Sequence, residues 1–230
     1  MQDPLWIKSL LGVHITAGVT AFVMAPLALA TAKGGKAHRR WGKIYFWAMA
    51  VVASTALVLA LYRPVLFLAL VAVFSFYAAF AAYRILFYKN LPRGEHVTWL
   101  DWCAAIFTFA SSFALALLGA VKPALVRNLG IPAIIFGTIG MVLAGKSMRL
   151  FLRPPKEKMF WWYEHLGGML ASYIAAWTAF SVTTIGRFVH GGWVIWVLPT
   201  FIGVPAISLT TAYYKRKFAP RREIGPASAA

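Results

Sequence analysis

The chain has 230 residues, of which 61% are apolar, 16% aromatic and only 13% charged. A water-soluble domain carries about a quarter charged residues, so a soluble globule is excluded: there is too little polar side chain to cover it. The net charge of +17, from 23 basic and 6 acidic residues, does not indicate nucleic-acid binding, because the bases form short clusters between apolar runs, as topology determinants and contacts to anionic lipid head groups do.

A helix needs about 20 apolar residues to cross about 30 Å of hydrocarbon, and seven runs qualify. The first, 5–32, includes Ala28, Leu29 and Ala30, which look like a signal-peptide cleavage site. Its leading flank holds Asp3 and one base, Lys8, and a basic loop follows, so it reads as a retained helix. His14 lies on it, about 13 Å in at 1.5 Å per residue. His38 sits in the basic loop before the second span, 41–62. The third span is 64–88 and ends near Arg84; His96 precedes the fourth, 97–121, which carries Asp101 and Cys103. A single cysteine cannot form an internal disulfide, and in an apolar helix it reads as a small packing residue. A short turn around Pro123 leads to the fifth span, 129–152, where Gly137, Gly140 and Ala144 predict close contact with a neighbouring helix. The sixth, 159–185, carries Glu164 and His165, the latter about 9 Å from its start. A short connection with His190 leads to the seventh, 193–214, and a basic tail with Arg221 and Arg222. The prediction is an all-α integral membrane bundle of seven transmembrane helices, one domain over 1–223, with a flexible tail over 224–230.

Orientation follows from the bases. Eighteen of the 23 lie in loops on one side: 33–43, 84–93, 146–158 and 215–222. The other side has Lys8, Arg63, Lys122, Arg127 and Arg187. The positive-inside bias predicts an outside N-terminus and a cytoplasmic C-terminus. Trp and Tyr cluster near the span ends, as an interfacial aromatic belt does.

Ionisable side chains within apolar helices are costly and normally face the bundle interior or a cavity. The basic half concentrates His38, His96, Asp101, Glu164 and His165, with Arg84 and Lys146 nearby. Three readings stand. In one, the acids neutralise nearby bases, Asp101 with Arg84 or Lys146, and the histidines bond to backbone carbonyls. In the second, the histidines hold a divalent metal ion or a b-type haem, which needs imidazoles from two helices at matched depth. Counted from the span ends, His14 and His165 differ by only about 7 Å in depth; they are the pair to test first for a cofactor. His14, His38, His96, Asp101, Glu164 and His165 form the candidate metal set. The third is a proton or substrate relay through the same groups. No nucleophile elbow, phosphate loop or HExxH motif is present.

Further along, His14, Gly18, Ala25 and Pro26, then His38, Arg39, Gly42 and Tyr45 in an H-R-x-x-G-x-x-Y arrangement, resemble the domain-of-unknown-function 2306 family of bacterial membrane proteins. The stretch from His165 through Gly167, Gly168, Ser172 and Tyr173 to Phe180 is similar to that family's late helix. The resemblance implies a multi-helix fold in a bacterial inner (cytoplasmic) membrane and points at His14, His38 and His165; it supplies no activity. The residues themselves leave two readings of His38: a topology anchor, or a side chain folded over the inner mouth toward Glu164, His165 or Asp101. The expected function is a His-centred intramembrane site for haem or metal, serving electron transfer. The alternatives are a small-molecule or ion carrier, channel or receptor, and a metal-dependent hydrolase. Partners are the bilayer and its anionic head groups, with a small-molecule ligand and oligomerisation open.

Overall fold

The computed structural model describes residues 3–63, 65–188 and 192–218. Pro64, His190, Arg221, Arg222 and the 224–230 tail lie outside the described residues, as does the side chain of Arg187.

Among the described residues the chain is helical throughout, with seven long helices and no strand. They are α1 (Leu5–Ala30), α2 (Lys36–Tyr62), α3 (Leu66–Arg84), α4 (Trp99–Val121), α5 (Gly130–Leu152), α6 (Phe160–Thr183) and α7 (Val194–Phe218). All seven are long and apolar enough to cross a membrane. Short 3-10 turns extend α3 over Ile85–Phe87 and bridge α4 to α5 over Pro123–Val126. That bridge closes through Arg127 and Asn128, both in the left-handed region at φ 57° and 59°. Successive helices run antiparallel, so the ends rich in Lys and Arg gather at one end of the bundle.

The main departure from hydropathy is α2. It begins at Lys36, five residues before its apolar run, so His38 belongs to the helix and not to a loop. Long basic side chains can extend from a helix end to the interface, and the charged first turns of α2 are solvent-exposed for that reason. The last turn of α7 does the same with Lys215, Arg216 and Lys217.

α3 sits at the centre, packed on α2, α4, α5 and α6. α1 closes one side against α2 and α6, and α7 leans mainly on α6. In hydrocarbon no hydrophobic effect drives helices together, so backbone proximity and shape must. At the α4–α5 contact a Cβ on Gly137 would lie 2.5 Å from the Ser112 carbonyl oxygen and 2.6 Å from the Ala116 nitrogen. One turn on, a Cβ on Gly140 would lie 2.1 Å from Ser112 Oγ. The two backbones meet only because those side chains are missing. Cys103 does not share this packing role; it is exposed on α4.

Apolar packing divides by level. Phe67, Leu115, Val126, Phe136 and Val197 fill the end away from the bases. Ala21, Ala25, Tyr45, Ala48 and Met49 form the core between α1 and α2, with Met169 and Tyr173 of α6 packed against it.

Candidate functional site

Four acidic residues, Asp3, Asp101, Glu157 and Glu164, are paired with bases. Asp101, 3% exposed, stands in the first turn of α4 and accepts from Arg84 at the end of α3 through Nε at 2.8 Å and Nη2 at 2.7 Å. The hydroxyls of Tyr88 and Thr98 also donate to its Oδ2, each at 2.5 Å. A carboxylate at a helix N-terminus and a guanidinium at a C-terminus both match the helix dipoles, so the cluster clamps α3 to α4. Glu164 pairs with Lys146 of α5 at 2.8 Å, and Glu157 with Lys215 at 3.3 Å. Asp3 pairs with Arg63, joining the start of α1 to the end of α2; the carboxylate holds that guanidinium above its ordinary pKa. Neither Asp101 nor Glu164 stands as an uncompensated acid in the bundle.

The histidines are arranged differently. His38 Nδ1 donates to the Ala28 carbonyl at the end of α1, at 2.9 Å. His165 Nδ1 donates to the Ala82 carbonyl of α3, at 2.8 Å. A carbonyl can only accept, so in each neutral ring Nδ1 carries the proton and Nε2 keeps its lone pair. The two rings lie together at the basic end, with centroids 6.2 Å apart and planes at 77°. Three elements set this meeting: α2 brings His38, α6 brings His165, and the ends of α1 and α3 supply the carbonyls that orient them.

On α2, His38, Gly42 and Tyr45 recur at i, i+4 and i+7 and therefore share one face. A Cβ added to Gly42 would meet no atom within 4 Å. Tyr45, 3% exposed, donates to Ser172 Oγ of α6 at 2.6 Å, and Ser172 in turn donates to the Met169 carbonyl at 2.9 Å. The spacing from His38 to Tyr45 carried this signal in the sequence, but it shows only once the helix is started at Lys36. Nothing in the sequence pointed to Ser172 as the partner.

His14 does not join this group, contrary to the depth estimate that paired it with His165. Its Nδ1 lies 2.8 Å from Thr55 Oγ1 on α2. The Thr55 hydroxyl proton goes to the Val51 carbonyl at 2.6 Å, so Oγ1 accepts from His14. The Tyr45–Ser172 bond fixes α2 and α6 at one level. Thr55 is ten residues beyond Tyr45 and His165 seven residues before Ser172, so His14 and His165 are about 25 Å apart along the bundle at 1.5 Å per residue. Between them Phe22 packs on Trp177 and Phe180, each at 4.9 Å. Depth measured from both ends of a slab of about 30 Å misses two things. α1 has 26 residues and spans about 39 Å, which accounts for about half of the gap. α6 also starts beyond the end of α1, so that His165, five residues into α6, lies beside His38 near Ala28.

The six-residue metal set does not assemble either. Among the described residues no three His, Cys, Asp or Glu side chains converge on one point. His96 is exposed in the loop before α4, while Asp101 and Glu164 are held by their bases. The structure thus brings together one pair from the set, His38 and His165, and places the other four elsewhere. A hydrolytic centre of three protein ligands has no counterpart among the described residues. The chain matches no protein-family model, no curated protein and no solved structure.

Proposed function

We propose that this is a polytopic protein of a bacterial cytoplasmic membrane, its basic helix ends and C-terminus on the cytoplasmic face, in which His38 and His165 would together hold a b-type haem. One observation carries the reading: two imidazoles with committed Nδ1–H groups stand 6.2 Å apart, centre to centre. Two imidazoles that would share one ion, each with a nitrogen about 2.0–2.1 Å from it, have ring centres about 5–6.3 Å apart. The observed 6.2 Å falls within that range. Donation from Nδ1 to a carbonyl also orients a ligating ring and raises the basicity of Nε2.

The surroundings are compatible with a flat macrocycle. Gly42 leaves open space one turn from His38, and the buried side chains of α1 near this level include the small Ala25 and Ala28. Two histidines would suffice as the protein's ligands to such a group. When bound, the group would supply one-electron chemistry; the chain's own part is to orient both imidazoles and exclude lipid with the Tyr45–Ser172 bond above them. The resemblance of the His38–Tyr45 and His165–Phe180 segments to the 2306 family belongs to the same reading. A relay through Asp101 and Glu164 has less support, since both carboxylates are already paired.

The test is the optical spectrum of the purified protein, supplied with hemin, together with metal analysis. A Soret band and a sharp α band on reduction are expected. Both should vanish in His38→Ala and in His165→Ala and persist in His14→Ala. Stoichiometric metal without a Soret band, lost in the same two variants, would replace haem by a bare ion at the same pair. No Soret band and no stoichiometric metal would sink the proposal.

A further inference from the structure

On the opposite side of α2 from the histidine pair, an open groove of about 760 Å³ runs between α1 and α2 and faces away from the bundle. Gly12, Thr16 and Thr20 of α1 and Lys43, Trp47 and Val51 of α2 line it. Small residues of α1, Gly12, Thr16, Ala17 and Thr20, line it, and a Cβ on Gly12 would meet nothing within 4 Å.

The basic end of the groove is charged in register. Lys36, Arg40, Lys43 and Trp47 recur at i, i+4, i+7 and i+11, so the three bases and the indole form one stripe down α2. All four side chains are exposed. Among the described residues none of the three bases forms an ion pair. Beyond Lys43 the stripe becomes apolar, and the eight residues from Lys43 to Val51 cover about 12 Å, close to the depth of one leaflet's hydrocarbon, about 15 Å. A cationic rim at head-group depth, an indole one turn below it and an apolar trough beneath are complementary to an amphiphile with an anionic head and a long chain. A partner helix seated there would have to neutralise three bases with its own acids, whereas a phospholipid brings its charge to that depth.

We propose that the α1–α2 groove is a specific site for one anionic phospholipid of the leaflet at the basic end. Its phosphate is held by Lys36, Arg40 and Lys43, and an acyl chain lies along Trp47, Thr16, Thr20 and Val51.

Native mass spectrometry of the detergent-purified protein tests this, titrating phosphatidylglycerol against phosphatidylcholine of the same chains. One tightly retained phosphatidylglycerol is expected. The combined Lys36→Gln, Arg40→Gln and Lys43→Gln variant should weaken it roughly a hundredfold, given the usual attraction of each base to an anionic surface. A charge-matched control at the same end, Arg153→Gln with Lys156→Gln and Lys158→Gln, should bind as the parent does. Thr16→Phe, which fills the groove and leaves the bases in place, should also weaken binding. Equal retention of the two lipids, equal loss in the control, or undiminished binding to Thr16→Phe would each overturn the site. All the substituted side chains are exposed, and a monodisperse gel-filtration profile checks that each variant is folded.

Discussion

Two glycine-to-alanine changes should move stability in opposite directions, although the chemistry is the same. At Gly137 the new methyl would sit 2.5 Å from the Ser112 carbonyl oxygen, 2.6 Å from the Ala116 nitrogen and 2.7 Å from the Ala116 Cβ. Ordinary contact begins near 3.5 Å, so α4 and α5 must separate by about 1 Å. Two of the three obstacles are backbone atoms, which no rotamer change can relieve. Overpacking of this kind costs about 1–3 kcal/mol, here toward the upper value, and the gain in helix propensity returns about 1 kcal/mol. The net loss is about 2 kcal/mol, or a Tm about 4–8 °C lower for a chain of this size. At Gly18 a Cβ meets no atom within 4 Å, so only the propensity term remains and Tm should rise by about 2–4 °C. Thermal unfolding in one detergent, followed by tryptophan fluorescence, measures both. A Gly137→Ala protein that melts at or above the parent, or a Gly18→Ala protein that falls as far, would refute the argument that backbone contact holds α4 to α5.

Asp101→Asn keeps the side-chain shape but removes the charge that four donated hydrogen bonds converge on. Breaking a buried pair costs about 3–5 kcal/mol; with the Arg84 side chain 25% exposed and partly hydrated, about 2–3 kcal/mol is expected, read as a lower Tm. The haem spectrum should not change, because this clamp joins α3 to α4 and touches neither His38 nor His165; a lost spectrum in a folded Asp101→Asn protein would contradict that separation. Between Tyr45 and Ser172 the two deletions should be unequal. Tyr45→Phe leaves Ser172 still donating to Met169 and should cost about 1 kcal/mol, whereas Ser172→Ala strands a buried phenol and should cost about 1–3 kcal/mol. Equal melting temperatures for the two variants would show that the phenol finds another partner.

Much of this molecule is legible without coordinates because the bilayer is a demanding solvent. Unpaired backbone groups are not tolerated in hydrocarbon, so an apolar run of about 20 residues reads directly as a helix, and seven such helices are present. The small-residue stripe at Gly137, Gly140 and Ala144 likewise marked a close contact. The sequence left the partner of Asp101 open between Arg84 and Lys146, and left His14 beside His165. Tertiary structure decided both. Arg84 meets Asp101 because the turns after α3 bring the two helix ends together, which leaves Lys146 to Glu164. His38 meets His165 because α2 starts in a charged segment that hydropathy cannot distinguish from a loop, and because α6 packs against α3. Hydropathy measures how much helix lies in lipid. It does not fix where a helix ends in water, nor the sliding of one helix along another, and those two quantities determine which histidines face each other.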